Sequence, residues 1–253
     1  MAQTMNRPGA QATPVNPVRK PAAWPVEFYR SAVGKKWVMA LSGVAMLGFV
    51  IAHAIGNLKL YMEPHDGVAA MDSYAEFLRR LLYPLAPEGV VLWLMRIGLL
   101  VAMIAHVHAA VTLTQMNRRA RPTKYQSSRD YVAVNFASRS MRVTGFILLA
   151  YIIFHVLDLT IGTTNPDFVA HAVHANTVAS LSRPWAAIVY IIANLAISVH
   201  LYHGIWSVFQ STGFNNPRYN VARRLVATGL AVIIGVVNIL FPIMVLVGVI
   251  DYV

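Results

Sequence analysis

A run of 22 residues without Asp, Glu, Lys or Arg, from Trp37 to Leu58, sharply limits the folds that this chain can adopt. A helix of about 20 apolar residues is long enough to cross the hydrocarbon core of a bilayer. The run contains one histidine, His53. An imidazole in lipid is costly without a partner, so it marks a candidate functional site.

Four further apolar runs follow the first. We predict five transmembrane spans, at about 36–60, 89–116, 141–161, 184–210 and 225–250. The composition agrees, because 57% of the residues are hydrophobic and only 12% are charged, which is typical of multispanning membrane proteins. We therefore predict an all-α membrane protein with one five-helix transmembrane domain over residues 31–253, preceded by a flexible N-terminal tail over residues 1–30.

The positive charges orient these spans. A formal net charge of +11 could indicate nucleic-acid binding, but the basic residues lie in loops between apolar runs, so we interpret them as topology signals and predict no nucleic-acid partner. The basic segments are the lead-in to the first span, residues 118–142 and residues 218–224. These three share one side in a five-span topology, which places the N-terminus in the cytoplasm and the C-terminus outside.

Histidines occur on four of the five spans and at two depths. With a rise of about 1.5 Å per residue, His53 and His155 lie in the outer half of the membrane, and His106 and His200 lie in the inner half. A b-type haem takes one imidazole on each face of its iron, and bundle cores hold such sites. We therefore predict four helices forming a bundle around two haem b groups, with His53 paired with His155 and His106 paired with His200 as axial ligands. The absence of cysteine from the sequence excludes a covalently attached c-type haem.

Three further side chains leave the ligand set open. His106 and His108 are two residues apart, so they point to nearly opposite faces and only one can be the ligand. His200 and His203 are three apart and share a face, so periodicity does not choose between them. The spare histidine could bind a haem propionate or a quinone. Arg96 could pair with a propionate of the outer haem or snorkel to the interface.

Other polar residues near the ends of the spans are weaker candidates. Asp158 lies one turn beyond His155 at the mouth of the third span, where we expect ordinary solvation rather than a role in proton conduction. Candidates for quinone protonation near the outer face are Glu88, His65, Lys59 and Tyr83, and those near the inner face are Ser31, Lys35, Trp37 and Trp206.

Three segments of the sequence resemble a known family. SAVGKKWVMALSGVAMLGFVIAHAIGNL, NRRARPTKY and HLYHGIWSVFQSTG are similar to the cytochrome b558 subunit of succinate dehydrogenases, a single-chain, five-span, di-haem membrane anchor that is also similar to the anchor of bacterial fumarate reductases. The similarity runs from Ser31 to the last span. It implies one haem ligand from each of the first four helices, paired first with third and second with fourth.

The resemblance also bears on the two ambiguous histidines. The family's fourth-helix ligand is followed four residues later by glycine and then by an aliphatic and an aromatic residue, which favours His200 over His203. The spacing to the Asn-Arg-x-Ala-Arg-Pro segment favours His106 over His108.

The resemblance implies a function in the respiratory chain and the tricarboxylic acid cycle. The chain would carry electrons from an iron-sulfur subunit through two haem b groups to menaquinone or another quinone in the bacterial inner membrane. It would not oxidise succinate alone, because a flavoprotein subunit holds that chemistry, but it would contribute the quinone site. Both partner subunits would dock on the basic cytoplasmic loops.

Several alternatives stay open at this stage. The chain could be the anchor of a fumarate reductase working in the opposite direction, or a haem-free anchor. A proton-coupled transporter would also use intramembrane histidines, but it is expected to show an inverted repeat, which we do not find. The sequence leaves the oligomeric state open, a higher oligomer included.

Overall fold

The computed structural model describes residues 22–120, 132–214 and 216–251, with side chains for all of these except 132–139. The first 21 residues of the predicted tail and residues 121–131 of the basic segment after the second span lie outside this described part. Within it, the chain is helical, and the one β-bridge joins His65 to Val68.

Eight α-helices and three short helical turns make up the secondary structure of the described residues. The α-helices are α1 (Trp24–Arg30), α2 (Ala32–Asn57), α3 (Ala70–Arg79), α4 (Val90–Arg119), α5 (Val132–Val156), α6 (Val173–Leu181), α7 (Pro184–Ser211) and α8 (Asn220–Leu246). A 3₁₀ turn covers Leu58–Tyr61, a π-helical turn covers Leu157–Ile161 and a second 3₁₀ turn covers Pro217–Tyr219.

Five helical stretches are long and apolar enough to cross a membrane, namely Ala32–Tyr61, Val90–Arg119, Ser140–Ile161, Pro184–Ser211 and Pro217–Leu246. The predicted all-α fold with five transmembrane helices is therefore confirmed. The fifth stretch differs most from its predicted bounds. It begins at Pro217 because the side chain of Asn216 accepts a hydrogen bond from the backbone of Arg218 and so starts a helical turn.

The residues just before the first span form helix α1, which packs on the start of α2. Ser31 separates the two helices, and its hydroxyl oxygen caps α2 by accepting a hydrogen bond from the backbone N–H of Gly34 at 2.9 Å. A Cβ on Gly34 would collide with the carbonyl of Phe28. Glycine at this position therefore allows α1 to turn back against α2.

Two short helices, α3 and α6, cover one end of the bundle, which we call the capped end. Asp72 of α3 accepts a hydrogen bond from the backbone N–H of His174 of α6 at 2.9 Å. Within α3, Arg79 donates to Glu76 at 2.9 Å, and this hydrogen bond holds the pKa of Glu76 below its usual range. We call the opposite end, where α1, the starts of α2 and α8 and the ends of α4 and α7 lie, the basic end.

The tightly packed hydrophobic core lies at the capped end, where α3, α6, α7 and α8 meet. Its buried members are Leu60, Met71, Val178, Leu181, Tyr190, Phe241, Val245 and Ile250. Away from this core, α2 packs along α4 and α5 packs along α7, so the four helices form two antiparallel hairpins. Helix α8 packs along the outside of α7. The two hairpins approach one another less closely than the helices within each, which leaves the space between them to the histidine rings described next.

Candidate functional site

His53 of α2 and His155 of α5 face each other between the two hairpins near the capped end. Their ring centroids are 5.9 Å apart and their ring planes are nearly perpendicular, at 82°. Phe49 stacks on His53 with centroids 5.2 Å apart, and Tyr151 lies beside His155 at 5.5 Å. An aromatic side chain one turn earlier on the same helix thus packs against each imidazole.

His106 of α4 and His200 of α7 form a second pair nearer the basic end. Their ring centroids are 6.4 Å apart with an interplanar angle of 58°. Each pair therefore joins one hairpin to the other, and each hairpin contributes one histidine to each pair. The rings that lie together are those of the histidines expected to pair, and their role as haem ligands stays a prediction.

The two pairs lie at two separate levels along the bundle axis. Ser42 of α2 is level with His106, because its hydroxyl oxygen lies 3.3 Å from Nδ1 of that ring. His53 is eleven residues farther along α2, which is about 16 Å at the rise of an α-helix. On the other hairpin Thr144 is level with His200, and His155 is again eleven residues farther along.

Three of the four rings have a hydrogen-bond partner that determines which nitrogen stays free. Nδ1 of His106 lies 3.0 Å from the carbonyl oxygen of Met39, which can only accept, so Nδ1 carries the proton. Nδ1 of His200 lies 3.1 Å from the Thr144 hydroxyl, whose own proton goes to the Ser140 carbonyl at 2.7 Å. Nδ1 of His155 lies 3.2 Å from the Tyr190 hydroxyl.

This arrangement fits axial ligation of haem iron. With Nδ1 protonated and held by a neighbour, Nε2 keeps the lone pair that binds a metal. Two imidazoles that bind one metal ion from opposite sides at about 2 Å each hold their ring centroids roughly 6 Å apart, which is close to both observed separations. Among the residues that the structure describes, no group of three or more His, Asp or Glu side chains could hold a metal ion. A pair of histidines suits iron that brings four equatorial nitrogens of its own.

A short sequence pattern recurs in the two hairpins. Ser42-Gly43 precedes His53, and Thr144-Gly145 precedes His155, and in both cases the histidine lies ten positions after the glycine. A Cβ on Gly43 would lie 3.3 Å from Cε1 of His106, and a Cβ on Gly145 would lie 3.6 Å from Cε1 of His200. In both hairpins the hydroxyl residue thus bonds the neighbouring histidine and the glycine leaves room for its ring. This repeat is parallel, unlike the inverted repeat of a transporter.

The remaining candidate histidines lie elsewhere. The exposed ring of His108 stacks on Tyr29 of α1 at 5.8 Å and is hydrogen-bonded to its hydroxyl. The ring of His203 lies 4.9 Å from that of Tyr202. His106 and His200 are therefore the members of the two ambiguous sets whose rings meet, which supports them as ligands.

Arg96 is exposed on α4, with its guanidinium carbon 5.1 Å from the centroid of the Trp93 ring. This contact is the one that the structure assigns to it. A role beside a haem propionate stays a prediction.

The expected solvation of Asp158 was wrong, because this carboxylate is fully buried. It lies in the π-helical turn that follows α5, and helix α6 folds back over it. Its partners are Arg183 at 2.6 Å, Thr164 at 3.1 Å, Tyr190 at 3.2 Å and Ser180. Because Tyr190 also lies against His155, this buried cluster adjoins the His53–His155 pair.

The weaker candidates for quinone protonation have contacts with their own neighbours. Near the capped end, Glu88 lies 3.4 Å from Arg80 and Lys59 lies over the ring of Tyr74 at 5.9 Å. At the basic end, Ser31 caps α2, Lys35 lies 4.2 Å above the ring of Tyr29, and Trp206 lies beneath Arg223 and Arg224. These contacts do not bring the candidates together in one place.

Comparison with known protein families gives a match to part of the chain. Residues 115–239 match the family described as Succinate dehydrogenase/Fumarate reductase transmembrane subunit. The matched segment is just under half of the chain. It contains His155 and His200, one member of each pair, whereas His53 and His106 precede it. The family description names a transmembrane subunit, which agrees with the five helical stretches long and apolar enough to cross a membrane. No curated protein and no solved structure gives a significant match to the chain.

Sequence reasoning missed the residues that hold the paired histidines in place. Ser42, Thr144 and Tyr190 each lie at Nδ1 of a paired histidine. Aligning the first and third spans on His53 and His155 would have revealed the recurring Ser/Thr-Gly pair. No comparable signal marks Tyr190, because its position depends on how α7 packs against α5.

Proposed function

We propose that this chain is the cytochrome b membrane anchor of a succinate dehydrogenase, which carries electrons from the iron-sulfur subunit through two haem b groups to a membrane quinone, with menaquinone as the expected acceptor. The observation that carries the proposal is the pair of facing histidine rings at each of two levels, 5.9 Å and 6.4 Å apart between centroids. The family match supports the anchor role.

The residues of the chain provide the positions for these groups. One imidazole from each hairpin would bind each iron, and the acceptors at Nδ1 hold three of the four rings in the orientation that leaves Nε2 free. When bound, the haems supply one-electron transfer, which no side chain of this protein could perform at a moderate potential. The spacing of about 16 Å along the helices would put one haem nearer each membrane surface.

The charge distribution supports docking of the partner subunits at the basic end. Exposed arginines at this end include Arg118 and Arg119 at the end of α4, Arg142 of α5 and Arg224 of α8. Basic loops favour the cytoplasmic side of a bacterial inner membrane. The iron-sulfur subunit would therefore deliver electrons nearest the His106–His200 pair.

The optical spectrum of the purified complex tests this function directly. We expect a reduced b-type α band and about two haems per copy of the chain. His53→Ala and His155→Ala should each remove the same spectral component and leave the other, and His106→Ala and His200→Ala should do the reverse. A complex without haem would refute the cytochrome assignment and leave a haem-free anchor. Loss of different components from His53→Ala and His155→Ala would refute the pairing.

Docking at the basic end has a separate test. We expect the double charge reversal Arg118→Glu and Arg119→Glu to reduce co-purification of the flavoprotein and iron-sulfur subunits while both haems stay bound. The matched control reverses charges at the capped end, with Arg80→Glu, where the exposed arginine pairs with Glu76 at 2.8 Å. A greater loss of partner subunits from the control would contradict this proposal and indicate docking at the capped end.

A further inference from the structure

The buried carboxylate of Asp158 is linked through one hydroxyl to a paired histidine. Asp158 accepts a hydrogen bond from Nη2 of Arg183 at 2.6 Å, within an ion pair whose arginine side chain is only 18% exposed. A carboxylate paired with arginine in this way is ionised and can only accept hydrogen bonds. The hydroxyl of Tyr190, 3.2 Å from Oδ2 of Asp158, must therefore donate its proton to the carboxylate.

The direction of that bond determines the next one. Because the Tyr190 proton points to Asp158, the lone pairs of the hydroxyl oxygen are left to accept. Nδ1 of His155 lies 3.2 Å from that oxygen, so Nδ1 carries a proton and donates it. In this series of hydrogen bonds, His155 donates to Tyr190 and Tyr190 donates to Asp158. Nε2 of His155 is therefore left unprotonated.

Two of the other paired histidines, His106 and His200, have neutral acceptors. Nδ1 of His106 donates to the backbone carbonyl of Met39, and Nδ1 of His200 donates to a threonine hydroxyl that itself donates to a backbone carbonyl. Among the described residues, an anion therefore stands behind His155 and not behind these two. An anionic acceptor makes an imidazole more basic and a stronger electron donor to a bound metal.

We propose that Tyr190 is a positioning residue of the His53–His155 site, where its hydroxyl couples the Asp158 carboxylate to His155 and so lowers the reduction potential of the haem bound there. This inference rests on the proposed function, because it needs haem at that pair. Stronger donation by His155 stabilises the ferric state over the ferrous state, which is the direction that lowers the potential.

The Tyr190→Phe variant tests this role with little risk to the fold. It removes the hydroxyl and keeps the ring, and Asp158 retains the bonds from Arg183, Ser180 and Thr164. The matched control is Tyr151→Phe. Tyr151 lies beside His155 at 5.5 Å and against Tyr190 at 5.3 Å, but its hydroxyl bonds to no residue that the structure describes.

The readout is an optically monitored redox titration of the intact complex, with each haem assigned beforehand from the histidine variants. In Tyr190→Phe we expect the ferric-to-ferrous preference of the haem at His53–His155 to fall about tenfold, which raises its potential by about 59 mV for a one-electron couple. The other haem and both haems of Tyr151→Phe should titrate as in the natural protein. Selective loss of the haem at His53–His155 from Tyr190→Phe alone would support the same positioning role.

Unchanged potentials in a Tyr190→Phe complex that holds both haems would overturn the inference and leave the proposed function intact. An equal shift in Tyr151→Phe would also overturn it, because aromatic packing would then be the cause. If the Tyr190→Phe complex does not accumulate, Asp158→Asn provides the test. This variant keeps the Tyr190 hydroxyl and removes the negative charge of the carboxylate. A raised potential at the same haem supports the role, and an unchanged one overturns it. A natural complex without any haem refutes the proposed function itself.

Discussion

Ser42 and Thr144 occupy equivalent positions in the two hairpins, each with its hydroxyl oxygen within hydrogen-bonding distance of Nδ1 of a histidine on the neighbouring helix. The distances are 3.3 Å from Ser42 to His106 and 3.1 Å from Thr144 to His200. Both hydroxyls also donate to a carbonyl one turn earlier on their own helix. The equivalence is not complete, because His106 has a second acceptor in the Met39 carbonyl at 3.0 Å.

This difference predicts unequal effects of removing the two hydroxyls. Thr144→Val should weaken haem binding at the His106–His200 site by about tenfold or more, since changes to such partners of metal-binding histidines typically cost 10–100-fold in affinity. Ser42→Ala should have the smaller effect, because Met39 still accepts the proton of His106. The haem content of the purified complexes measures this. A larger loss from Ser42→Ala would contradict the assigned roles.

A methyl group on Gly43 should also act on this site. The added Cβ would lie 3.3 Å from Cε1 of His106, which is tight enough to displace the ring, so Gly43→Ala should lower the occupancy of that haem or shift its spectrum. Gly229→Ala is the control, because Gly229 lies on α8 with no atom within 4 Å of the added Cβ. There the spectrum should stay unchanged, and the helix should gain about 0.5–1 kcal/mol from the loss of glycine flexibility. If both variants have the spectrum of the natural protein, Gly43 is not needed to leave room for the His106 ring.

Histidines two or three residues apart should behave very differently. His106→Ala and His200→Ala should each abolish one haem, whereas His108→Ala and His203→Ala should keep two haems per chain. The reason is that the ring of His106 faces His200 at 6.4 Å, whereas His108 bonds Tyr29 of α1. Haem stoichiometry and the reduced spectrum check all four variants. If His108→Ala loses a haem and His106→Ala keeps both, the ligand on α4 is His108 and not His106.

Breaking the Asp158–Arg183 pair should destabilise the protein far more than breaking a surface pair. Arg183→Gln leaves a buried carboxylate without its cation, for which a cost of about 3–5 kcal/mol is typical. One kcal/mol shifts the melting temperature by roughly 2–4 °C for a chain of this size, so the melting temperature should fall by about 10 °C. The control, Arg30→Gln, breaks a pair with Glu27 in which both side chains are about half exposed, at 50% and 48%. Such a pair contributes about 1 kcal/mol or less, so a comparable drop in the control would show that Arg183 has no special role.

The sequence predicts the five spans and the ring pairing because both follow from long-range regularities. Each span is an apolar run of membrane length, and the depth of a histidine follows from its distance to a charged loop. His53 and His155 could therefore be matched without knowledge of side-chain contacts. The same reasoning reaches His106 and His200 once the direction of each helix is known.

The parts that the sequence did not predict depend on packing between distant segments. Helices α3 and α6 are short and mix polar with apolar residues, so they lack the signal of a span. The environment of Asp158 is decided by Ser180 and Arg183, 22 and 25 residues away, once α6 folds back over the π-helical turn. Ser42 and Thr144 resemble ordinary hydroxyl residues that bond their own helix, and only the neighbouring helix reveals their second contact.

The division of each pair between the two hairpins has a consequence for biogenesis. Residues up to Arg119 supply His53 and His106, and residues from Val132 onward supply His155 and His200, so neither half of the chain holds a complete site. If the pairs ligate haem, each haem would link the two separately inserted halves of the chain through one histidine from each half. Assembly of the four-helix bundle would then depend on the supply of haem. In a cell short of haem, both halves of the chain would be inserted in the membrane without being joined to each other.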